Sequence, residues 1–260
     1  MKSTLLLKLG GRAFESSDGY ASLARSIKKL SNHSLIIVHG GGADISQALR
    51  DAHRQPQFID GYRVTSKEDM AIVERVLSTE VNQRIVDQLQ QNGLACRGLS
   101  GRTQGLLRVR PMLRNGQSLG YVGEIESVFP EPLITLLDEG VIPVVSPISA
   151  DENGNSYNVN ADSAAAALAV GMGSSDLIYF TDVPGVRAGD RLVSSLTIGE
   201  AQNLIATGQI RDGMIAKMES VFRALDGGVS RVHITCWQDD QTLVNTLNHK
   251  TTHGTLLYKQ

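Results

Sequence analysis

The 260-residue chain carries 25 Lys and Arg against 27 Asp and Glu, a formal net charge of −2, with 41% hydrophobic and 20% charged residues. That balance excludes disordered, collagen-like and fibrous chains, and the lack of a global basic field excludes nonspecific binding to nucleic acid or to an anionic membrane. The length suits one large α/β domain or two fused lobes.

In chain order, apolar strand-like runs alternate with helical periodicity. A strand is expected at 4–8, a helix at 20–30, a strand at 35–38 and helices at 45–53 and 67–91. Then come a strand at 94–99, a helix at 132–139, a strand at 141–145, a helix at 161–171 and a strand at 176–180. Helices at 198–207 and 214–225, a strand at 231–236 and a helix at 241–247 complete the series. Such alternation predicts a central parallel sheet covered on both faces. Alternating segments at 57–64, 106–112 and 119–128 predict antiparallel hairpins beside that sheet, with a lid as one use for them. The 67–91 helix carries Met70, Val73, Leu77, Val81, Ile85 and Leu89 on one stripe, broadened by Ile72, Val76 and Val86. Two readings fit so much apolar surface: a dimer seam, or a deeply packed helix.

The apolar run at the start is broken by Lys8, too early for a signal peptide, and the small-residue stretch 164–173 is about half of the roughly 20 residues needed to span a bilayer. Cys96 and Cys236 form no C-x-x-C motif and no disulfide framework, so a reduced, cytoplasmic setting is expected.

Two glycine clusters carry the first chemical signal. Lys8-Leu9-Gly10-Gly11 falls where the opening strand should end, and His39-Gly40-Gly41-Gly42 where the next should end. Ligands bind at the carboxyl ends of parallel strands, and glycine there lets backbone N–H groups approach an anion, so the pair predicts a phosphate site. No glycine precedes a lysine, which excludes the P-loop, and Gly171-Met172-Gly173 lacks the third glycine of a dinucleotide fingerprint. Zincin, serine-hydrolase and protein-kinase signatures are absent, and the histidines show no metal-ligand spacing. His39 is read as a structural hydrogen-bonder with no catalytic role. Asn158-Val159-Asn160-Ala161-Asp162 reads as a polar loop entering a small-residue helix, with Asn160 or Asp162 as the alternative N-cap. Asp212-Gly213-Met214-Ile215-Ala216-Lys217 opens another helix with a cation in its first turns, unfavourable to the macrodipole unless an anion sits nearby. A solvated surface lysine is the competing reading.

Together with Gly61-Tyr62-Arg63-Val64-Thr65, Gly98-Leu99-Ser100-Gly101, Val122-Gly123-Glu124-Ile125 and Thr181-Asp182-Val183-Pro184-Gly185-Val186, these ordered stretches resemble the amino acid kinase superfamily, and within it the N-acetyl-L-glutamate kinases. The resemblance runs nearly the whole chain. It implies a three-layer αβα sandwich with a central, mainly parallel eight-stranded sheet and a β-hairpin lid. It also implies an acyl-acceptor and dimerisation lobe over about 1–173 and an ATP lobe over about 174–260.

The implied reaction moves the γ-phosphoryl of ATP onto the side-chain carboxylate of N-acetyl-L-glutamate, a step of arginine biosynthesis in the cytoplasm. A carboxylate attacks as an anion, so the protein needs no nucleophile of its own, only in-line positioning and charge neutralisation. By this resemblance Lys8 and Lys217 hold the moving phosphoryl group, Asp162 orients both lysines, and Gly11 and Gly41 offer N–H donors. Arg63 pairs with the substrate α-carboxylate in a geometry lysine cannot copy, and Asn158, Gly41 and Gly42 line the acceptor pocket. Lys8, Gly10, Asp182, Val183, Pro184, Gly185, Val186, Arg187, Gln209, Ile210, Arg211 and Lys217 are implied for the nucleotide. Mg2+ would enter with ATP, held by phosphates and water, with no protein ligand. The polar turn Arg187-Ala188-Gly189-Asp190 is a departure at the nucleotide edge.

Family members dimerise through a long helix, which would give 67–91 that purpose. Arginine-inhibited relatives add an N-terminal helix that links dimers into hexamers, and few residues precede the first strand here, so an arginine-insensitive homodimer is expected. Two alternatives compete. One is a kinase of a carrier-linked α-aminoadipate or glutamate, with Arg54, Arg102, Arg108, Arg110 and Arg114 as a basic docking surface. The other is a non-catalytic sensing domain, which would have no use for both lysines.

Overall fold

The computed structural model describes residues 3–10, 14, 17–211, 213–248 and 253–260. In chain order it begins β1 (Ser3–Leu9), α1 (Ser17–Lys28), β2 (His33–His39), α2 (Gly42–Asp51), β3 (Gln57–Ile59) and β4 (Tyr62–Val64). α3 (Lys67–Arg75) runs through a π-helical stretch, Val76–Val81, into α4 (Asn82–Gln91), and β5 (Cys96–Ser100), β6 (Leu107–Arg114), β7 (Gln117–Val128) and α5 (Glu131–Asp138) follow. Next are β8 (Ile142–Ser146), β9 (Ile148–Ala150), β10 (Ser156–Asn158), α6 (Ala161–Gly171), β11 (Asp176–Phe180), β12 (Arg187–Ala188), β13 (Arg191–Leu192) and β14 (Ser195–Thr197). The chain closes with α7 (Ile198–Ala206), α8 (Gly213–Asp226), β15 (Arg231–Thr235), α9 (Thr242–Leu247) and β16 (Thr255–Tyr258).

The main sheet has 8 strands in the order β14-β16-β15-β11-β1-β2-β8-β5, parallel except where β16 runs against β15. Its central strands are apolar on both faces because helices cover both. Period-two alternation divides β1: Leu5, Leu7 and Leu9 enter one core with Ile37, Ile178 and Phe180, while Leu6 enters the other with Ile36, Leu177 and the alanines of α6. Lys8 continues the Leu6 face, the face that α6 and α8 cover. From β1 the chain crosses to β2 on one side, and the later strand β11, entered from α6, pairs on the other, so β1 stands at the switch point where an α/β sheet opens a crevice.

The hairpins expected beside the sheet exist. β3 pairs with β4, and β6 with β7, but β6 and β7 also close a small barrel with β9 and β10. Residues 156–158 form a strand that the sequence reading did not anticipate, and of the polar loop expected over 158–162 only Asn158 falls in it, since a three-residue strand leaves no periodic trace. The base of the β3–β4 hairpin is stitched to the barrel by Thr65 N–H to the Leu119 carbonyl, 3.0 Å, and Tyr121 N–H to the Thr65 carbonyl, 2.7 Å.

The 67–91 helix is continuous, and its apolar surface is spent inside the monomer. Met70, Val73, Val76, Leu77, Val81, Ile85, Val86 and Leu89 are all buried in the core that also holds Leu5 and Leu7. The stripe is deeply packed within the chain and by itself gives no argument for a dimer seam. No helix of the described residues is long and apolar enough to cross a membrane.

Candidate active site

Lys8 Nζ lies 3.0 Å from Asp162 Oδ1, an ion-pair contact without hydrogen-bond alignment, and Lys217 Nζ donates to Asp162 Oδ2 at 2.5 Å. Three elements deliver these groups: the end of β1, the first turn of α6 and the second turn of α8. Asn160 settles the capping question, because its side-chain oxygen accepts from Asp162 N–H and Ser163 N–H at 2.9 and 3.2 Å. The Asp162 carboxylate is thereby left for the lysines. It is also the anion that a cation near the start of α8 required.

Burial alone would raise the Asp162 pKa, yet the charges of Lys8 and Lys217 hold it well below the usual carboxylate range. Burial lowers the Lys217 pKa, with Asp162 opposing. Tyr179 forms the floor, its hydroxyl donating to the Asp162 carbonyl at 3.0 Å and its ring 5.0 Å below Lys217 Nζ. A Cβ at Gly10 would stand 2.6 Å from Lys8 Nζ and 3.0 Å from the Phe180 carbonyl oxygen, so glycine there is what lets the lysine fold over its own turn.

Two cavities flank the glycine loop after β2 and share Gly40, Gly41 and Gly42. One, about 450 Å³, is lined by Lys8, Gly10, His39, Arg84 and Asp182. The other, about 150 Å³, is lined by Ile45, Phe58, Tyr62, Arg63, Leu77 and Asn158 among others. Gly41 caps α2 without a side chain, and the first-turn N–H groups that follow have no intrahelical acceptor, the arrangement that suits an anion at a helix start. A Cβ on Gly41 would meet Leu77 at 2.6 Å, because the π-helical stretch drives Leu77 and Val81 against the loop.

His39 is 1% exposed, and its ring Nδ1 lies 2.8 Å from the Gly40 carbonyl. Asn82 gives its amide to the Val144 carbonyl at 2.9 Å and to His39 Nε2 at 3.0 Å, which assigns the proton to Nδ1. Burial pushes the ring down to about 4. The neutral imidazole is a fixed strut beneath the loop, as the structural reading expected.

Arg63 is 8% exposed. Its Nη2 donates to the Gly42 carbonyl at 2.9 Å and to Ser46 Oγ at 2.7 Å, and its guanidinium carbon lies 4.7 Å from the Phe58 ring centroid. Nη1 is buried with no hydrogen-bond partner among the described residues. Asn158 donates to Thr65 Oγ1 at 3.2 Å. Ser46 and Phe58 carried no signal in the sequence: a mid-helix serine and an apolar hairpin residue gain meaning only from the arginine they clamp.

The structure thus gathers Lys8, Gly10, Gly41, Asp162, Asp182 and Lys217 at one point and Gly41, Gly42, Arg63 and Asn158 beside it. Two of the residues implied for the nucleotide turn their side chains inward. Val186 is fully buried, with its N–H donating to Thr255 Oγ1 at 2.8 Å and its carbonyl accepting from Val193, and Ile210 is buried in the same core. Their side chains serve packing, since each is the apolar member of an exposed turn. Gln209, Arg211, Val183 and Arg187 remain exposed, Pro184 half-buried and Gly185 buried, and 187–190 makes the first strand and turn of the β12–β13 hairpin. Gly11 and Asp212 lie outside the described residues.

A model of the amino acid kinase family matches residues 3–236. The chain belongs to the amino acid kinase family. Acetylglutamate kinase of Geobacillus kaustophilus (strain HTA426) is 38% identical over 261 residues, covering 100% of this chain and 98% of that protein. Among solved structures, smu.665 of Streptococcus mutans UA159 superposes with a TM-score of 0.86 at 29% identity over 100% of both chains. The N-acetylglutamate synthase of Neisseria gonorrhoeae, solved with coenzyme A and N-acetyl-glutamate, gives 0.84 at 27%, matching 99% of this chain but 60% of the synthase chain.

In this amino acid kinase the arginines that could have made a basic docking surface are individually engaged. Arg102 pairs with Glu74 at 2.5 Å, Arg110 with Glu124 at 2.9 Å and Arg114 with Glu219 at 2.8 Å; Arg54 pairs with Asp69, and Arg108 lies over Phe129. Four of the five are paired with carboxylates, which weakens their field at the surface.

Proposed function

We propose that this amino acid kinase transfers the γ-phosphoryl of ATP to the side-chain carboxylate of N-acetyl-L-glutamate, giving N-acetyl-L-glutamyl 5-phosphate for arginine biosynthesis. The observation that carries the reading is one carboxylate, Asp162, held between two lysines at a sheet switch point, beside a small cavity with an unspent Arg63 Nη1. A carboxylate oxygen of the acceptor attacks the γ-phosphorus, the bond to the β–γ bridging oxygen breaks, and ADP leaves with that electron pair. Lys8 and Lys217 neutralise the charge spreading over the moving group, Asp162 fixes their ammonium groups, and Gly41 supplies an N–H; Gly11 is assigned the same role from the sequence. Arg63 receives the α-carboxylate, with Asn158 and Gly42 completing the acceptor wall.

ATP is assigned to the opposite side of the clamp, against Gly10, Asp182, Val183, Pro184, Gly185, Arg187, Gln209 and Arg211, which makes 1–173 the acceptor half and 174–260 the nucleotide half. Among the described residues no group of three or more His, Cys, Asp or Glu could hold a metal ion, and Asp162 is committed to the lysines. Magnesium is assigned to ATP, held by phosphate oxygens and water, where it would supply charge neutralisation. A second copy of the chain is proposed along the 67–91 helix, beside β5 at the edge of the sheet, checked by sedimentation equilibrium. The setting is proposed to be cytoplasmic.

The carboxylate-paired arginines and the about 150 Å³ acceptor cavity speak against a carrier-linked acceptor, and the intact lysine pair against a sensing domain. The test is ATP-dependent acyl-hydroxamate formation with hydroxylamine on N-acetylglutamate, N-succinylglutamate, N-acetylaminoadipate and glutamate. Signal confined to N-acetylglutamate is expected. Preference for another acceptor, or silence from folded protein, overturns the reading.

A further inference from the structure

Two pieces distant in sequence converge on Glu219, two residues beyond Lys217 on α8. Its Oε1 accepts from Arg114 Nη2, at the end of β6, at 2.8 Å, and its Oε2 accepts from the Tyr62 hydroxyl of β4 at 3.4 Å. The guanidinium of Arg114 lies 5.2 Å from the Tyr62 ring centroid, and its Nε reaches Asp60 Oδ2 at 3.6 Å, which Asn115 also meets at 3.2 Å. At the hairpin turn itself, a Cβ on Gly61 would stand only 3.9 Å from Ala216 Cβ, so the turn rests directly on α8. One turn further along, Arg223 reaches Glu124 of the barrel at 3.4 Å.

Residue spacing gives this cluster a direction. On a strand, neighbouring side chains point to opposite sides, so Tyr62 faces α8 while Arg63 faces Ser46 of α2. On a helix, residues two apart lie on opposing faces, so Glu219 meets the hairpin while Lys217 enters the clamp. One helix and one hairpin therefore carry, back to back, the contact that joins them and the two groups that meet the reactants.

We propose that Glu219 is a positioning residue: through Arg114 and Tyr62 it latches the acceptor hairpin onto the helix of Lys217, so that Arg63 and Lys217 take up their places together. The proposal rests on the acceptor-kinase reading of the site. Its strength suits a door that must open. The Arg114 and Glu219 side chains are 28% and 33% exposed, so solvent weakens the pair, while Tyr62, 4% exposed, supplies the packing that gives the closed position a single geometry.

The test uses the full chain as wild type, Glu219→Ala, Glu219→Gln, Arg114→Met and the Glu219→Ala/Arg114→Met double variant. Two readouts are taken: backbone hydrogen exchange over 57–65 without ligands, and the KM of acceptor and of ATP. Glu219→Ala and Arg114→Met should each raise the acceptor KM about fivefold while the ATP KM moves less than about twofold, the scale of one partly exposed ion pair acting on one reactant. The double variant should be no worse than either single, Glu219→Gln should lie between because it keeps an acceptor oxygen for Arg114, and hairpin exchange should quicken in step. Equal changes in both KM values, multiplying effects in the double variant, or unchanged exchange over 57–65 would each overturn the latch. If the wild type shows no acceptor-dependent turnover, the functional reading fails by itself, and the exchange readout still decides whether Glu219 holds the hairpin.

Discussion

Lys8, Asp162 and Lys217 stand on a central strand and two core helices, whereas Arg63 stands on a three-residue strand of a two-stranded hairpin joined to the barrel at its base. The first group is held by backbone that cannot move without disturbing the sheet. The second is held by side chains: Ser46, Phe58 and the half-exposed pair of Arg114 and Glu219. The contrast follows from the chemistry. Phosphoryl transfer gains from charges that need no reorganisation during the reaction, while an acceptor must enter and leave.

If the division is real, damage to the clamp should appear in kcat and damage to the hairpin in the acceptor KM. The largest effect is expected for Lys217→Ala, which removes one preorganised cation and should lower kcat by about 10²–10³-fold, about 2.7–4 kcal/mol, in steady-state assays at saturating substrates. A kcat near wild type would remove Lys217 from the transition state.

The scaffold beneath the clamp should reveal itself through pH. Burial holds His39 at about 4 in the folded chain against the ordinary histidine value of 6.5, so the unfolded chain takes up its proton first on acidification. Stability is fully present above pH 6.5 and is lost as pH falls towards about 4, by about 3 kcal/mol in all, from this group. Urea denaturation of wild type and His39→Asn across that window should show the slope in the former and a flatter line in the latter.

On the hairpin side, Arg63→Lys should raise the acceptor KM roughly tenfold with little change for ATP, since a lysine keeps the charge but cannot both hold Gly42 and Ser46 and present a separate nitrogen to the acceptor. Phe58→Ala should act in the same direction and more weakly, about threefold, the scale of an exposed cation–π contact. A fall in kcat at unchanged KM in either variant would erase the distinction between the two regions.

The same division governs how much the sequence discloses. The clamp is legible because its parts are anomalies: glycine pairs at strand ends, and a lysine where a helix disfavours cations. The central strands are legible as unbroken apolar runs. β9, β10, β14 and β16 are not, because strands of three or four residues fix too few positions for a period to register. The 67–91 stripe shows how much apolar surface there is but not which side buries it. Val186 and Ile210 lie in polar stretches that resemble nucleotide contacts, and tertiary packing alone assigns them inward. The Glu219 latch joins residues more than a hundred positions apart in ordinary polar types, so local reading has nothing to detect.

The most direct measurement labels both oxygens of the N-acetylglutamate side-chain carboxylate with ¹⁸O, runs the ATP reaction, cleaves the product with hydroxylamine and reads the released phosphate by ³¹P NMR. Hydroxylamine attacks the acyl carbon, so the bridging oxygen leaves with phosphorus. Attack by the acceptor carboxylate predicts one ¹⁸O in each phosphate released from the product. Unlabelled phosphate would mean that the phosphoryl group never resided on that carboxylate, and would contradict the account.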